Sequence, residues 1–208
     1  MNPPADDLLL RCSRRSLGAV TADPTASHWA HCPGVELCKT ISGQPPLQRT
    51  RLQIAWDERE LRVLFCVEDT YVWATLSERG DPLYEEEVVE VFLDPAGDLA
   101  EYYEFEVNPL NAVLDLKLWR EEVGWKKDFQ WRCEGLQTAV KRNAAGWSAE
   151  FSIPFAALGA VPGKKPWRAN FYRIDRPADA PWELSAWSPT GAPNFHVPAR
   201  FGLLEFVE

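Results

Sequence analysis

The stretch Gly146–Pro154, GWSAEFSIP, alternates apolar and polar side chains without a break. Trp147, Ala149, Phe151 and Ile153 share one parity and are expected in the core; Ser148, Glu150 and Ser152 share the other and are expected outside. A two-residue period marks a strand with one buried face, and it recurs in short runs along the chain. Residues 49–57 (RTRLQIAWD) and 60–69 (ELRVLFCVED) flank a tight charged turn and predict a hairpin, with Leu61, Val63, Phe65 and Val67 on one side of its second arm. Residues 101–109 set Tyr103, Phe105 and Val107 against Tyr102, Glu104, Glu106 and Asn108, and 112–119 turn back on them through PLN. Residues 167–175 and 201–208 read as late strands, and PFAALG after Ile153 as one short helical turn. No long stretch repeats its apolar residues every 3.6 positions, and 17 Pro and 12 Gly break the chain into short elements. The fold class expected is all-β: an antiparallel β-sandwich of the jelly-roll or immunoglobulin-like kind with almost no helix. One domain is expected, with residues 1–39 an N-terminal strand and loops packing on a sandwich of residues 40–208.

Charge narrows the function classes. Lys and Arg number 22 against 31 Asp and Glu, a formal net charge of −9. Nucleic acid and anionic membrane both need a basic face, so neither is expected as a partner. Ten Trp, ten Phe and five Tyr are many for one core, which suggests that some of the Trp residues serve recognition. Five cysteines (Cys12, Cys32, Cys38, Cys66 and Cys133) make an odd count without a CxxC pair, so a disulfide framework is not expected, although one bridge stays open. The start, MNPPADDLLLRCSRR, has no charged-then-apolar leader pattern; as written, the chain reads as cytoplasmic.

Few catalytic motifs are available. The histidines are His28, His31 and His196, and no GxSxG, HExxH or glycine-rich phosphate loop occurs. HWAHCPGVELC offers His28, His31, Cys32 and Cys38 at a spacing that fits no standard zinc site and reads as a loop. A haem site lacks CxxCH, and the single Met is Met1. A carboxylate pair of the kind glycoside hydrolysis uses keeps a glycoside-active enzyme as an alternative, and a partner-binding or structural sandwich is a third.

Residues 81–95, DPLYEEEVVEVFLDP, carry the strongest local conflict. Glu85, Glu86, Glu87 and Glu90 crowd a run whose Val88, Val89, Val91, Phe92 and Leu93 belong in a buried strand, where an isolated charge is costly. Either Glu90 faces a pocket, or it forms a buried ion pair with Arg173. A sugar is gripped by aromatic rings against its apolar faces and by charged or amide groups at its hydroxyls. Tyr84 precedes this strand, and Trp187 lies in the loop SAWSPTGAPNFHVP. Glu90, Glu104, Glu106, Asn108, Asn170 and Arg173 are the polar residues within strand patterns that can line one face with them. The geometric expectation is that the rings at 84 and 187 converge over Glu90. Trp29, Trp56, Trp147 and Trp167 read as core or turn residues, while Trp73, Trp119, Trp125, Trp131 and Trp182 stay unassigned.

DPLYEEEVVEVFLDP, YYEFEVNP, GWSAEFSIPFAALG, WRANFYRID, AWSP and the closing FGLLEF, in this order, resemble the family 9-like carbohydrate-binding modules of the DOMON-like superfamily over about residues 40–207. The resemblance implies a non-catalytic β-sandwich that binds the ends of cello- or xylo-oligosaccharide or polysaccharide chains such as xylan, alongside glycoside hydrolases. It implies a sugar held between two rings, at the places of Tyr84 and Trp187, with Glu90 at its hydroxyls. Where the best-known type carries a sugar-binding Arg, this chain has Glu106; Arg173 is the candidate to supply that charge from a neighbouring strand. The resemblance also implies structural calcium, for which Asp69, Asp94 and Asp98 are the loop-placed candidates, and secretion if the start is trimmed.

Overall fold

The computed structural model describes residues 8–208; residues 1–7, the head of the expected N-terminal segment, lie outside the described residues. The strands are β1 (Leu9–Arg14), β2 (Gly34–Glu36), β3 (Cys38–Lys39), β4 (Thr50–Trp56), β5 (Glu60–Glu68), β6 (Val88–Asp94), β7 (Glu101–Val107), β8 (Val113–Glu121), β9 (Gly124–Asp128), β10 (Gln137–Asn143), β11 (Gly146–Pro154), β12 (Trp167–Asp175), β13 (Glu183–Ala186) and β14 (Gly202–Val207). Helical structure among the described residues is confined to single 3-10 turns, one of which, Phe155–Leu158, is the turn expected after Ile153. No helix is long and apolar enough to cross a membrane.

The strands join in the order β10-β11-β5-β4-β1-β14-β12-β6-β7-β8-β9. This one curled sheet folds into two layers, β10-β11-β5-β4 and β12-β6-β7-β8-β9, with β1 and β14 at the bend. The antiparallel expectation holds along both layers, but β1 runs parallel to both β14 and β4. Parallel partners come from distant chain segments rather than from a hairpin turn, so local alternation carries no sign of them.

Between the layers lies the main core. β5 and β11 contribute Val63, Phe65, Trp147 and Phe151 from one side; β6, β7 and β12 contribute Val89, Val91, Phe105 and Phe171 from the other. Phe65 bridges them, with ring centroids 5.8 Å from Phe151 and 6.5 Å from Phe171, both edge-on. Each layer is also covered on its outer face. Outside β4, β5 and β11, the segment after β1 packs Trp29 and Cys32 against Ala55 and Leu64. That cover corrects the expectation for β11: Ser148, Glu150 and Ser152 are buried. The Glu150 carboxylate accepts the backbone N–H groups of Thr21 and Ala22 at 2.9 and 2.8 Å and pairs with Arg62 at 2.7 Å. Outside the other layer, Val88, Phe92, Tyr102, Leu114, Leu116 and Tyr172 form a second apolar cluster under Phe195 and Phe201. β6 is therefore apolar on both parities because it has a core on both faces.

Candidate functional site

Register decides which face each polar residue of β6, β7 and β12 meets. Glu90 lies opposite Glu106 of β7 on one side and Tyr172 of β12 on the other. Residues directly opposite share a face, so Glu90, Glu104 and Glu106 point outward with Phe92 and Tyr172. Arg173 lies opposite Val89 and points inward. Of the two alternatives for Glu90, the buried pair with Arg173 is thus not formed: the two side chains are one residue out of phase and project from opposite faces of the sheet.

Arg173 instead meets Glu87, Asp69 and Asp175 at 3.2, 3.3 and 3.2 Å. It also donates to the Glu68 carbonyl at 3.0 Å. Glu87 is further held by the Trp147 indole N–H at 3.0 Å, and Asp175 by the Gln48 amide at 3.1 Å. This is a structural centre inside the sandwich, with one guanidinium serving three carboxylates.

The outer acids have no such partner. Carboxylate oxygens of Glu90, Glu104 and Glu106 lie within 4.8 Å of one another. Glu90 and Glu104 are 2% and 3% exposed and Glu106 is fully buried. One oxygen each of Glu90 and Glu104, and both oxygens of Glu106, accept no hydrogen bond. Burial, reinforced by the neighbouring carboxylates, raises Glu90 and Glu106 well above the usual carboxylate range; burial also raises Glu104.

Above these acids opens a cavity of about 360 Å³, lined by Glu90 and Glu104 at the floor and by Tyr84, Trp182, Ile174, Leu184, Phe195, Lys127 and His196 around them. Tyr84 rides on the 3-10 turn Leu83–Glu85, whose Leu83 is buried and fixes the turn so that the phenol ring stands 42% exposed. Trp182 precedes β13 and is 51% exposed. The Arg176 guanidinium stacks on its ring at 3.6 Å and reaches Trp73 on the other side at 5.2 Å. One face of the Trp182 ring is thereby braced and the other is left for the cavity.

At the far wall His196 is wired by donor count. Lys127 donates to Nε2 at 2.8 Å, so Nδ1 carries the proton and donates to the Tyr102 hydroxyl at 2.7 Å. Burial, with the Lys127 charge, pushes His196 down to about 4 and keeps it neutral.

The other expected ligand residues sit elsewhere. Trp187 is 6% exposed and packs in the main core against Phe171, with ring centroids 5.9 Å apart. The cause is register: Ala186 pairs with Tyr172, so the next residue falls on the Phe171 side, and the Trp187 N–H donates to the Phe171 carbonyl at 2.9 Å. Gly202 makes room for its ring, since a Cβ there would stand 2.5 Å from it. Asn108 donates to the Leu76 carbonyl and accepts from Leu110 and Ala112, which closes the β7–β8 turn. Asn170 ties β12 to Ser188 through both its amide and its carbonyl. Both amides are consumed by backbone. The structure thus gathers Tyr84, Glu90 and Glu104 of the expected residues at the cavity, with Glu106 buried behind them, and adds Trp182, Lys127 and His196. Trp182 had a signal: it shares parity with Leu184, which pairs with Ile174 on the outer face.

The expected calcium candidates do not assemble. Asp69 is taken by Arg173, and Asp94 spends both oxygens on the N–H groups of Gly97 and Leu99, at 2.7 and 2.9 Å. Asp98 accepts from Ala100 within the same loop. In the HWAHC loop, His28 meets Glu150, Cys32 donates to the Ile54 carbonyl and Cys38 to the Ala186 carbonyl, so no zinc cluster forms among them. All five cysteines are free thiols.

Fold and cavity together define a β-sandwich binding module. More particularly, the chain belongs to the carbohydrate family 9 binding domain-like family, whose model matches residues 23–208. Three solved structures are similar to it over nearly its whole length. A Bacteroides uniformis protein proposed to bind carbohydrate superposes with a TM-score of 0.78 at 23% identity, covering 95% of this chain and 98% of that one. A family 9 carbohydrate-binding module from Caldicellulosiruptor kristjanssonii in complex with cellotriose gives 0.73 at 18% identity, covering 96% and 94%. A family 9 module from the same organism in complex with glucose gives 0.70 at 17%, covering 96% and 95%. No curated protein sequence matches the chain.

Proposed function

We propose that this chain is a non-catalytic sugar-binding module whose ligand sits in the cavity between Tyr84 and Trp182. The observation that carries this reading is a pair of exposed rings at the rim of a cavity with buried, unpartnered carboxylates at its floor. Rings supply stacking area for the apolar faces of a pyranose, and the floor supplies acceptors for its hydroxyl protons. Membership in a carbohydrate-binding family, and structural relatives that hold cellotriose and glucose, support the same reading. The ligand class is a soluble oligosaccharide or a chain end, because the site is a half-open depression of about 360 Å³ rather than an extended flat platform.

Calorimetric titration with glucose, cellobiose, cellotriose and xylobiose tests it. Saturable binding to members of this panel, abolished by Trp182→Ala and Tyr84→Ala, is expected, and aryl glycosides are expected to remain intact. The absence of heat with every sugar, amino sugars included, would refute the reading.

A further inference from the structure

The floor of the cavity has a chemical sign. Glu90, Glu104 and Glu106 offer only acceptors in their ionised form, and four of their oxygens are without a hydrogen bond although the residues are at least nine-tenths buried. Among the described residues no Lys or Arg forms an ion pair with any of the three. The charged group nearest the triad is Lys127, which is exposed at the rim, donates to His196 and draws on all three acids from there without forming an ion pair with them, while His196 is neutral and stands 3.8 Å from Glu104. Tyr84 and Tyr102 add neutral phenols. The triad therefore awaits either protons or a cationic donor.

Its charge suits one donor in particular. Two hydrogen bonds of about 2.8 Å from a tetrahedral ammonium span acceptors up to roughly 4.6 Å apart, a reach comparable with the 4.8 Å within which the three carboxylates all lie. A primary ammonium brings three N–H donors and a full positive charge; a sugar hydroxyl brings one donor and no charge. A bare divalent cation fits less well: calcium takes six to eight oxygen ligands, and besides the acids only Tyr84 and Asn194 bring side-chain oxygens to a lining that also carries the cationic Lys127.

We propose that the cavity seats a sugar bearing a free primary amine, a 2-amino-2-deoxyhexose or an oligomer of it, with the ammonium group on Glu90 and Glu104 and the fully buried Glu106 directly behind them. This deepens the sugar-binding reading of the same cavity and rests on it. The rings hold the pyranose faces, and the triad selects the amine. Burial favours the protonated form of these acids and a docked ammonium favours the ionised form, so binding shifts protons from the triad toward solvent.

The test is calorimetry at pH 7 with glucosamine, glucose and N-acetylglucosamine, in two buffers of different ionisation heat, with and without EDTA. Expected are at least tenfold tighter binding of glucosamine than of glucose, weaker binding of the acetylated sugar, and proton release with glucosamine only. Glu106→Gln and Glu90→Gln, each checked for an unchanged melting transition or a raised one, should collapse the glucosamine-to-glucose ratio toward one. Equal affinity for glucose and glucosamine would overturn this inference and leave the sugar-binding reading standing. Absence of binding by every sugar would overturn both. A preference for glucosamine that EDTA abolishes and calcium restores would overturn the ammonium assignment in favour of a metal.

Discussion

Two buried acidic triads sit back to back across one sheet. Glu87, Asp69 and Asp175 face inward and surround Arg173; Glu90, Glu104 and Glu106 face outward and surround no cation, with Lys127 at the cavity rim their nearest positive charge. Both groups draw on β6 or its leading edge and are equally removed from water. What differs is the resident cation, and that difference separates architecture from recognition. A triad whose charge is answered by the protein's own guanidinium has no use for a ligand. A triad left unanswered costs stability in the free protein, and proteins keep such a cost at sites that bind something.

The comparison can be broken most forcefully from the inner side. Replacing Arg173 with Met leaves three carboxylates buried without their cation, and loss of about 3–5 kcal/mol in urea denaturation is expected. A loss below 1 kcal/mol would mean the two triads are not different in kind. The two tryptophans sharpen it next. Trp187→Ala should cost about 3–5 kcal/mol of folding stability, as large core truncations do. Trp182→Ala should leave the denaturation midpoint nearly unchanged and weaken sugar binding by about 2 kcal/mol or more, as the loss of a hot-spot ring does. If the two effects were exchanged, Trp187 would be the recognition ring.

The outer triad gives the smallest effect and the opposite sign. Glu106→Gln removes one of three crowded acids and should stabilise the free protein by about 1 kcal/mol. The pH dependence follows from the raised folded values of Glu90, Glu104 and Glu106. Their contribution to stability is complete below the unfolded carboxylate value, about 4.3, and is lost as pH rises through the raised folded values. Thermal melts between pH 4 and 8 should therefore decline less steeply toward neutrality in Glu106→Gln than in the parent. A steeper decline would contradict the burial argument.

Much of this molecule can be read from its alternation. The β4–β5 hairpin, the two parities of β7 and the all-β class follow from period two and from turns rich in Pro and Gly. The odd composition of β6 also pointed toward an acid kept in place for a reason. What alternation cannot supply is register between strands. Parity places Glu90 and Arg173 each within its own strand, yet only the pairing of Glu90 with Tyr172 reveals that they face apart. The same one-residue step sent Trp187 into the core and left Trp182 at the rim. The polar parity of β11 was misleading for another reason: whether a polar face meets water or a covering segment depends on where distant chain goes, and here residues 15–32 lie over it.

The central claim is that sugar enters between Tyr84 and Trp182, over the outer acids. Its most direct test is a two-dimensional ¹H–¹⁵N spectrum of the tryptophan indoles, assigned by single Trp→Phe substitutions, during titration with the tightest-binding sugar of the panel. The account predicts that the Trp182 indole signal moves with saturation while those of Trp187 and Trp147 stay in place. Movement of Trp187 with Trp182 unmoved would contradict it.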